Sequence, residues 1–452
     1  MEREHFGSRF AVIMAMAGSA IGLGNIWRFP YVAGENGGAA FILIYILATL
    51  LLSLPIFFAE FVIGRRSRSN CFGALRKLAP GTPWKWFGAV LCVVTPMLIV
   101  SYYSVVGGWS LHYLLKSFSL DFVRHAAEAE KGSFGAFISH PWMPLACFLV
   151  YLGTACAIVA TGVKKGIELF SKVSIPILFV LVLLIVIYSV SLPGARAGVT
   201  YLVRPDFSAV TGKTFLDALG QSFYSLSLGM GIMITYGSYV RKEEDPVASG
   251  LGTAFADLGF ALMAGFAVMP AVFAAGIAPS AGPGLIFDTV PFIFGKMGET
   301  WPVISSIVAI FFFFSILVAA LTSTVSLIEV GVAYLTEERR MRRGRACVVA
   351  FLFTAVIGAL CSLSFGPLSG FRLAGEPIFN FLDKFCSNFL LTLGGLLCVI
   401  FVGWKMKRSD VRDELTNGGT LKRNDRIFGV VYFLIKYLAP LAVAIIFISN
   451  FL

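Results

Sequence analysis

The chain has 452 residues, of which 58% are hydrophobic and only 13% charged, and its formal net charge is +11. Its mean hydropathy is +0.84, and its apolar share exceeds the roughly 45–50% of ordinary soluble domains. These values exclude a soluble enzyme or a soluble binding domain. They predict one all-α polytopic membrane domain over residues 1–452.

About eleven apolar segments reach the roughly 17–25 residues that are needed to cross the hydrocarbon core of a bilayer. In chain order, they predict transmembrane helices near Phe10 to Val32, Ala39 to Ile63, Trp86 to Leu115, Met143 to Thr161, Gly166 to Val190, Phe215 to Tyr239, Val247 to Ala275, Pro302 to Tyr334, Cys347 to Leu363, Ile378 to Val402 and Phe428 to Ile448.

Two of these spans are interrupted. The first contains GSAIGLGNIWRFP from Gly18 to Pro30, and the sixth contains SLSLGMG from Ser225 to Gly231. Glycine lowers helix propensity by about 1 kcal/mol relative to alanine, and irregular backbone at membrane depth is tolerated only where protein or a water-filled cavity surrounds it. Paired interruptions in the two halves of a chain predict the binding site of a secondary transporter.

Basic residues predict the orientation, because short cytoplasmic loops are rich in Lys and Arg. With the N-terminus inside, the cytoplasmic loops hold Arg65, Arg66, Arg68, Arg76, Lys77, Lys85, Lys164, Lys165, Arg241, Lys242, Arg339, Arg340, Arg342, Arg343, Arg345 and the segment from Lys405 to Arg426. The positive charge therefore indicates contact with anionic membrane lipid. No nucleic-acid partner is expected, since no aromatic residues are interleaved with these basic residues.

Several other features lack the pattern that a function would need. The eight cysteines include no C-x-x-C pair, and the four histidines show no metal-ligand spacing, so no zinc site is expected. Met1 to Ala17 has some features of a signal peptide, but Glu2 and Glu4 dilute its basic start. Cleavage would also remove half of the first interruption, so we expect the segment to be retained.

Four motifs together carry a family resemblance. They are GSAIGLGNIWRFPYVAGENGG, Tyr102-Tyr103 with Trp109, SLSLGMGIMITYGSYVRKEED, and AALTSTVS from Ala319 to Ser326. In this order they resemble the signatures of the neurotransmitter:sodium symporter family, bacterial branch, over essentially the whole chain. The resemblance implies two inverted five-helix repeats, residues 10–190 and 215–402, with helices 1 and 6 unwound at mid-membrane. It also implies an extra helix over residues 428–450 and a bacterial inner-membrane location with a cytoplasmic N-terminus.

The resemblance implies two sodium ions. The first would be bound, together with the substrate carboxylate, by Ala20, Asn25, Ser225 and Asp257. The second would be bound by Gly18, Ile21, Ala319, Thr322 and Ser323. Both sets offer hard oxygen donors, which suit an alkali cation and not zinc.

Gly22 indicates the substrate class. The family's monoamine carriers have an aspartate at this position, which replaces the carboxylate that their substrates lack, so a glycine favours an amino acid. The resemblance assigns the carboxylate a hydroxyl donor, Tyr103. It lines the substrate site with Ser19, Ala20, Leu23, Gly24, Ile99, Tyr103, Tyr224, Ser225, Ser227, Met230, Ser323 and Leu327. Most of the side-chain pocket is apolar, which favours a hydrophobic substrate, and Met230 favours a large ring, since sulfur packs well against aromatic groups.

Gating residues follow from the same resemblance. On the outer side Arg28 would pair with an acid near the start of span ten, either Asp383 or a residue aligned slightly later, where this chain has Cys386 and Ser387. On the inner side Arg3 would pair with Glu337. Ser238 and Tyr239 would support that closure, and Phe6 would plug the inner vestibule.

Asp257 predicts how charge is balanced in the transport cycle. Chloride-requiring relatives have a serine at the position of Ala261 and bind the anion near Tyr45, Gln221 and Ser225. This chain instead carries a carboxylate one helical turn earlier, on the same face. We therefore expect chloride-independent transport, with Asp257 carrying a proton outward on the return step.

The sequence thus predicts a sodium-coupled symporter that imports a hydrophobic or aromatic L-amino acid by alternating access. The alternative is a proton-coupled amino-acid permease of the related five-plus-five fold, which needs no sodium ligands. A receptor or an intramembrane hydrolase is disfavoured, since no histidine lies in either interruption to activate a nucleophile. The sequence does not indicate an oligomeric state.

Overall fold

The computed structural model describes residues 4–119, 132–276 and 286–449. Within these residues the chain is helical apart from loops and one hairpin of two short strands, β1 (Arg372–Leu373) and β2 (Glu376–Pro377). The helices, some containing π-turns, are α1 Arg9–Ala20, α2 Gly24–Glu35, α3 Ala39–Ser67, α4 Cys71–Leu78, α5 Trp84–Ala89, α6 Thr95–Phe118, α7 Ser133–Ser139, α8 Met143–Ala160, α9 Val163–Ser191, α10 Ala195–Val203, α11 Gly212–Ser225, α12 Ile232–Gly237, α13 Pro246–Ala274, α14 Thr289–Thr300, α15 Pro302–Glu337, α16 Arg343–Leu363, α17 Ile378–Lys405, α18 Arg408–Thr416 and α19 Lys422–Ser449.

Eight of the described helices are long and apolar enough to cross a membrane, and the bent pair α1 and α2 makes a ninth span. The predicted third span is formed by α5, a π-turn at Val90–Val94 and α6 in direct succession. The predicted sixth span is divided between α11 and α12. The all-α prediction is confirmed. The number of eleven spans and the boundaries of the two repeats stay predictions.

The long helix α15 lies at the centre of the bundle. It packs lengthwise against α6, and also against α9 and α1. From Val318 to Ala333 its side chains are buried all round, as expected for a helix enclosed by other helices. This position brings its Ser and Thr residues next to the interruption between α1 and α2.

The outer surface of the bundle is apolar. Ile187 of α9, Val356 of α16 and Leu441 of α19 are 60%, 65% and 61% exposed. Scattered exposed apolar residues are normal in soluble proteins, but here they follow whole helices that have membrane-spanning length. In a membrane, lipid chains would cover these apolar faces, so their exposure would carry no cost in hydrophobic free energy.

Candidate functional site

The first interruption turns the chain between α1 and α2. Ile21 leaves the helix with φ −73° and ψ 103°, and α2 continues at an angle of 52°. The side chain of Asn25 closes the turn, because its Oδ1 accepts from the amide of Gly22 at 3.1 Å. The carbonyl groups of Ser19 and Ile21 are therefore released from helical hydrogen bonding and accept from side chains of α15, as described below.

The second interruption separates α11 from α12 by a segment with three positive φ angles, at Ser227 (55°), Gly229 (80°) and Gly231 (74°). The amide of Gly229 donates to Oε1 of Glu60 at 2.6 Å. A Cβ atom at Gly229 would collide with the carbonyl oxygen of Leu391, so both conformation and space require glycine here. The sequence reasoning missed Glu60, although an acid inside the apolar run of α3 was a visible signal.

A cavity of about 360 Å³ lies between the two interruptions. It is lined by Ser19, Ala20, Gly22, Gly24, Ile99, Tyr103, Tyr224, Ser227, Met230, Ser323 and Leu327. These include all the predicted substrate residues except Leu23 and Ser225, which are buried beside it. The lining includes hydroxyl and backbone groups, such as those of Tyr103, Ser323 and Gly22, and apolar side chains, such as those of Ile99, Met230 and Leu327.

Tyr103 and Gly22 belong to the polar part of this lining. The hydroxyl oxygen of Tyr103 accepts from the amide of Leu23 at 3.0 Å, which leaves its proton free to donate into the cavity. A Cβ atom at Gly22 would lie 2.8 Å from that hydroxyl oxygen and would overlap Oγ of Ser323. A side chain at this position would therefore have to displace both hydroxyl groups.

Four buried side chains form what we call the Asp257 cluster: Asn25, Tyr45, Ser225 and Asp257. Nδ2 of Asn25 donates to Oδ1 of Asp257 at 2.7 Å, and Oγ of Ser225 lies 2.8 and 2.9 Å from the two carboxylate oxygens. The hydroxyl of Tyr45 donates at longer range, 3.4 Å to Oδ2 of Asp257 and 3.3 Å to Oγ of Ser225. The cluster joins both interruptions to α13 and places one buried carboxyl group there.

Around this cluster lie the other residues that the chloride comparison singled out. Nε2 of Gln221 donates to the carbonyl of Gly24 at 2.8 Å, so it supports α2. Ala261 is fully buried one turn beyond Asp257 on α13. Ala20, which the resemblance assigns to the first sodium ion, lines the cavity beside the cluster. The carboxylate and hydroxyl oxygens are donors of the kind that suits an alkali cation, whereas Asn25 turns its Nδ2 toward them and its Oδ1 toward the Gly22 amide.

A second group of oxygens, the α15 hydroxyl cluster, comprises the hydroxyls of Thr322 and Ser323 and the carbonyls of Ser19, Ile21 and Ala319. Oγ1 of Thr322 lies 2.9 Å from the Ala319 carbonyl and 3.4 Å from that of Ile21. Oγ of Ser323 lies 3.1 Å from the Ser19 carbonyl and 3.4 Å from that of Ile21.

Gly18 faces the same cluster, since a Cβ atom there would lie 3.5 Å from Cβ of Thr322 and 3.1 Å from Oγ of Ser171. The sequence reasoning did not name Ser171, which comes from α9. The α15 hydroxyl cluster is a neutral set of oxygen donors, and it also fits an alkali cation.

On the outer side of the cavity, Tyr224 separates the cavity from a second, larger one of about 920 Å³. The guanidinium of Arg28 lies over the Tyr224 ring, 5.0 Å from its centroid. Asp383 accepts from the hydroxyl of Ser387 at 3.2 Å. Among the described residues Arg28 and Asp383 form no ion pair within 4.0 Å, so the predicted outer pair stays a prediction.

On the predicted inner side lies the chain's own N-terminal segment. Phe6 is 2% exposed, and its ring meets Tyr236 and Tyr239 edge-on at 5.6 and 6.1 Å. The amide of Phe6 donates to the Tyr239 carbonyl at 3.2 Å. Phe6 is thus packed against α12 and the residues that follow it, and its role as an inner plug stays a prediction.

The predicted inner ion pair cannot be placed, because Arg3 lies outside the described residues. Glu337 accepts from the amide and the side chain of Asn70 at 2.8 and 3.0 Å. Tyr239 instead donates to Glu329 at 2.7 Å, and Glu329 is paired with Arg343 at 2.5 Å. The sequence reasoning missed this buried pair, although Glu329 is an acid within an apolar span.

Comparison with known proteins identifies the family. The model of the sodium:neurotransmitter symporter family matches residues 3–130 and 131–452. An uncharacterised sodium-dependent transporter of Bacillus subtilis (strain 168), YhdH, is 38% identical over 98% of this chain and 97% of its own length. The sodium-dependent serotonin transporter of Drosophila melanogaster is 26% identical over 88% of this chain and 68% of its own.

Among solved structures, the crystal structure of MhsT in complex with L-phenylalanine matches with a TM-score of 0.90 and 41% identity. The match covers 99% of this chain and 100% of that one. This likeness, with the interruptions between α1 and α2 and between α11 and α12, confirms the predicted fold class. The matching proteins are transporters rather than enzymes, and this chain is a membrane protein that belongs to the sodium:neurotransmitter symporter family.

Proposed function

We propose that the protein imports a hydrophobic or aromatic L-amino acid together with sodium. Import would proceed by exposing the central cavity alternately to the two sides of the membrane. Family membership supports sodium-coupled amino-acid symport. The observation that carries the finer proposal is the cavity between the two interruptions, which is lined by the Tyr103 hydroxyl and backbone of the first interruption and also by the apolar side chains of Ile99, Met230 and Leu327.

The substrate's carboxylate would lie beside Tyr103 and Gly22. The Tyr103 hydroxyl can donate to it, and the positive end of the helix dipole at the start of α2 favours an anion. A side chain at Gly22 would have to displace two hydroxyl groups, so we expect the carboxylate to come from the substrate. Burying the negative charge of the substrate carboxylate without a partner would cost several kcal/mol. We therefore expect a cation beside the carboxylate.

The side chain of the substrate would lie among Ile99, Met230 and Leu327. The related MhsT binds L-phenylalanine in its crystal structure, which supports an aromatic substrate for this chain. Met230 can adjust to rings of different size because its side chain is flexible.

Two sodium ions would accompany the substrate. The Asp257 cluster, with the Ala20 carbonyl and the substrate carboxylate, would hold one ion, and the α15 hydroxyl cluster with Gly18 would hold the other. Both oxygen sets include backbone or side-chain groups of the α1–α2 interruption. Ion binding would therefore stabilise the turn that also shapes the substrate cavity, which couples the two events.

Asp257 would make chloride unnecessary, because it supplies a fixed negative charge in the cluster that contains Tyr45 and Ser225. When sodium leaves on the inner side, the carboxylate would take up a proton and return outward neutral. The transporter would lie in the bacterial inner membrane with its N-terminus in the cytoplasm, where Phe6 would close the inner route.

Binding of labelled phenylalanine to the full-length protein in detergent tests the proposal. We expect binding in sodium that is lost in choline or potassium, and competition by tyrosine but not by tyramine, which leaves Tyr103 without its anionic acceptor. Binding that is unaffected by sodium but depends on a proton gradient in vesicles would favour the proton-coupled permease. Equal competition by tyramine and tyrosine would refute the role of Gly22. A panel of L-amino acids as competitors then ranks the substrates.

A further inference from the structure

A basic cluster lies at the predicted inner end of the bundle, far from the transport cavity, where α18 meets the start of α19. Arg408, Arg412 and Arg426 line one side of an open cavity of about 920 Å³. Asp425 lines it too, but its carboxylate forms two hydrogen bonds with Arg412, at 2.8 and 3.0 Å. One acid therefore neutralises one of three guanidinium groups, and the cavity keeps an excess of positive charge.

Aromatic rings hold two cations of this region in place. The Arg408 guanidinium and the Lys436 ammonium lie 5.5 and 5.9 Å from the centroid of the same ring, Tyr432. Lys436 also lies over Trp404 at 5.0 Å and over Tyr437 at 5.6 Å. Within residues 4–119, 132–276 and 286–449, neither cation has a carboxylate oxygen within 4.0 Å. Ring faces attract cations but leave their charge in place, so the pair lacks an anion.

Lys436 lies within the apolar span α19, which runs from Lys422 to Ser449. A lysine in such a span is costly and extends its amine toward the polar boundary. Next to it along α19 runs an exposed apolar stripe, with Phe433 57%, Leu441 61% and Ile445 49% exposed. The cations thus lie at one end of a surface that suits hydrocarbon chains, and a molecule that satisfies both must be an amphiphile with an anionic head.

We propose that this corner binds an anionic phospholipid of the cytoplasmic leaflet. Its phosphate group would lie between the guanidinium groups of Arg408 and Arg426 on the aqueous side and the ammonium of Lys436 on the membrane side, and its acyl chains would follow the α19 stripe. Charge complementarity selects an anionic over a zwitterionic lipid, and the stripe selects a lipid over a soluble phosphate. This inference is independent of the substrate and of the ions that are transported.

Native mass spectrometry of the full-length protein tests the site, with phosphatidylglycerol and phosphatidylcholine of identical acyl chains as probes. We expect preferential retention of phosphatidylglycerol by the wild type. The Arg408→Gln, Lys436→Gln double variant should bind it about thirtyfold more weakly, since each basic side chain near an anionic surface contributes roughly a fivefold factor. Lys85→Gln is the matched control, because Lys85 also lies over an exposed ring, Trp86, at 5.6 Å but has no such cluster beside it.

Three outcomes would overturn the proposal: equal retention of the two lipids, equal loss in the Lys85→Gln control, or displacement of the lipid by glycerol phosphate at similar concentration, which indicates a soluble-anion site. Arg408 is exposed, so Arg408→Gln alone should fold normally and should give about a fivefold loss. Unchanged sodium-dependent substrate binding in each variant verifies that the protein is folded.

Discussion

The Asp257 cluster and the α15 hydroxyl cluster adjoin the same interruption but are built differently. In the first, a fully buried carboxylate holds Asn25 and Ser225 at hydrogen-bond distances of 2.7 to 2.9 Å. In the second, two hydroxyls share carbonyl oxygens at 2.9 to 3.4 Å, and no side chain of the cluster is charged. If each cluster binds sodium as proposed, the first site would carry its own counter-charge, whereas the second would depend on the number and placement of neutral oxygens.

The largest expected effect tests the neutral cluster. Thr322→Val with Ser323→Ala removes two hydroxyl oxygens and keeps the shape of the side chains. We expect the sodium concentration for half-maximal substrate binding to rise about a hundredfold, since each lost polar partner in a buried site costs about 1–3 kcal/mol. A sodium titration of labelled phenylalanine binding measures it.

Ser315→Ala is the control for this double variant, because Ser315 lies on the same helix and bonds the Phe311 carbonyl of its own preceding turn at 2.7 Å. It should leave sodium affinity unchanged. An unaltered sodium titration in a correctly folded double variant would show that these hydroxyls are not ion ligands.

The next effect tests the charged cluster. Asp257→Asn keeps an oxygen that can accept from Asn25 but removes the charge. We expect about a tenfold rise in the half-maximal sodium concentration, because the lost attraction is partly offset by the lower cost of burying a neutral group. Uptake into proteoliposomes should also lose its stimulation by an acidic interior. An unaltered pH response in the variant would remove the proton role of Asp257.

A smaller effect is expected from Tyr45→Phe, which deletes one long hydrogen bond to each of Ser225 and Asp257. The net stabilisation from one hydrogen bond is usually about 0.5–1.5 kcal/mol, and bonds of this length contribute least. The half-maximal sodium concentration should rise roughly threefold. If the variant affects binding as strongly as Asp257→Asn, then Tyr45 and not the carboxylate dominates the cluster.

For the last test, the removal of chloride, we expect no change in uptake. Replacing chloride with gluconate should leave uptake by the wild type unaltered, because the carboxylate of Asp257 already balances the cation. A requirement for chloride would contradict the contrast between the two clusters. Asp257→Asn in the same assay shows whether an anion becomes useful once the carboxylate is removed.

Glycines and polar residues inside apolar spans predicted the interruptions, and the family resemblance predicted most of the cavity lining. The reason that Gly229 must be glycine, its positive φ and the nearby Leu391 carbonyl, is visible only in the structure. Long-range partners were not visible. Nothing in the spacing of Glu60, Glu329 and Arg343 says which backbone amide or side chain each will meet across the bundle.

The outer gate shows the same limit. The sequence left Asp383, Cys386 and Ser387 as alternatives because the family's acid could align with any of them. The structure has a π-turn at Phe385–Leu390, which shifts the side chains that follow it around the helix axis. Register across such a turn depends on packing. The hydrophobic pattern that predicted the span around it does not record this shift.

The carbonyl groups exposed at Ser19 and Ile21 have an evolutionary consequence. A point substitution changes a side chain but leaves a carbonyl oxygen in place, so the backbone part of the α15 hydroxyl cluster is shielded from most single mutations. The side chains of Ile99, Met230 and Leu327 have no such protection. Pocket side chains would therefore be expected to change more readily among descendants of this protein than the carbonyl oxygens beside Thr322 and Ser323.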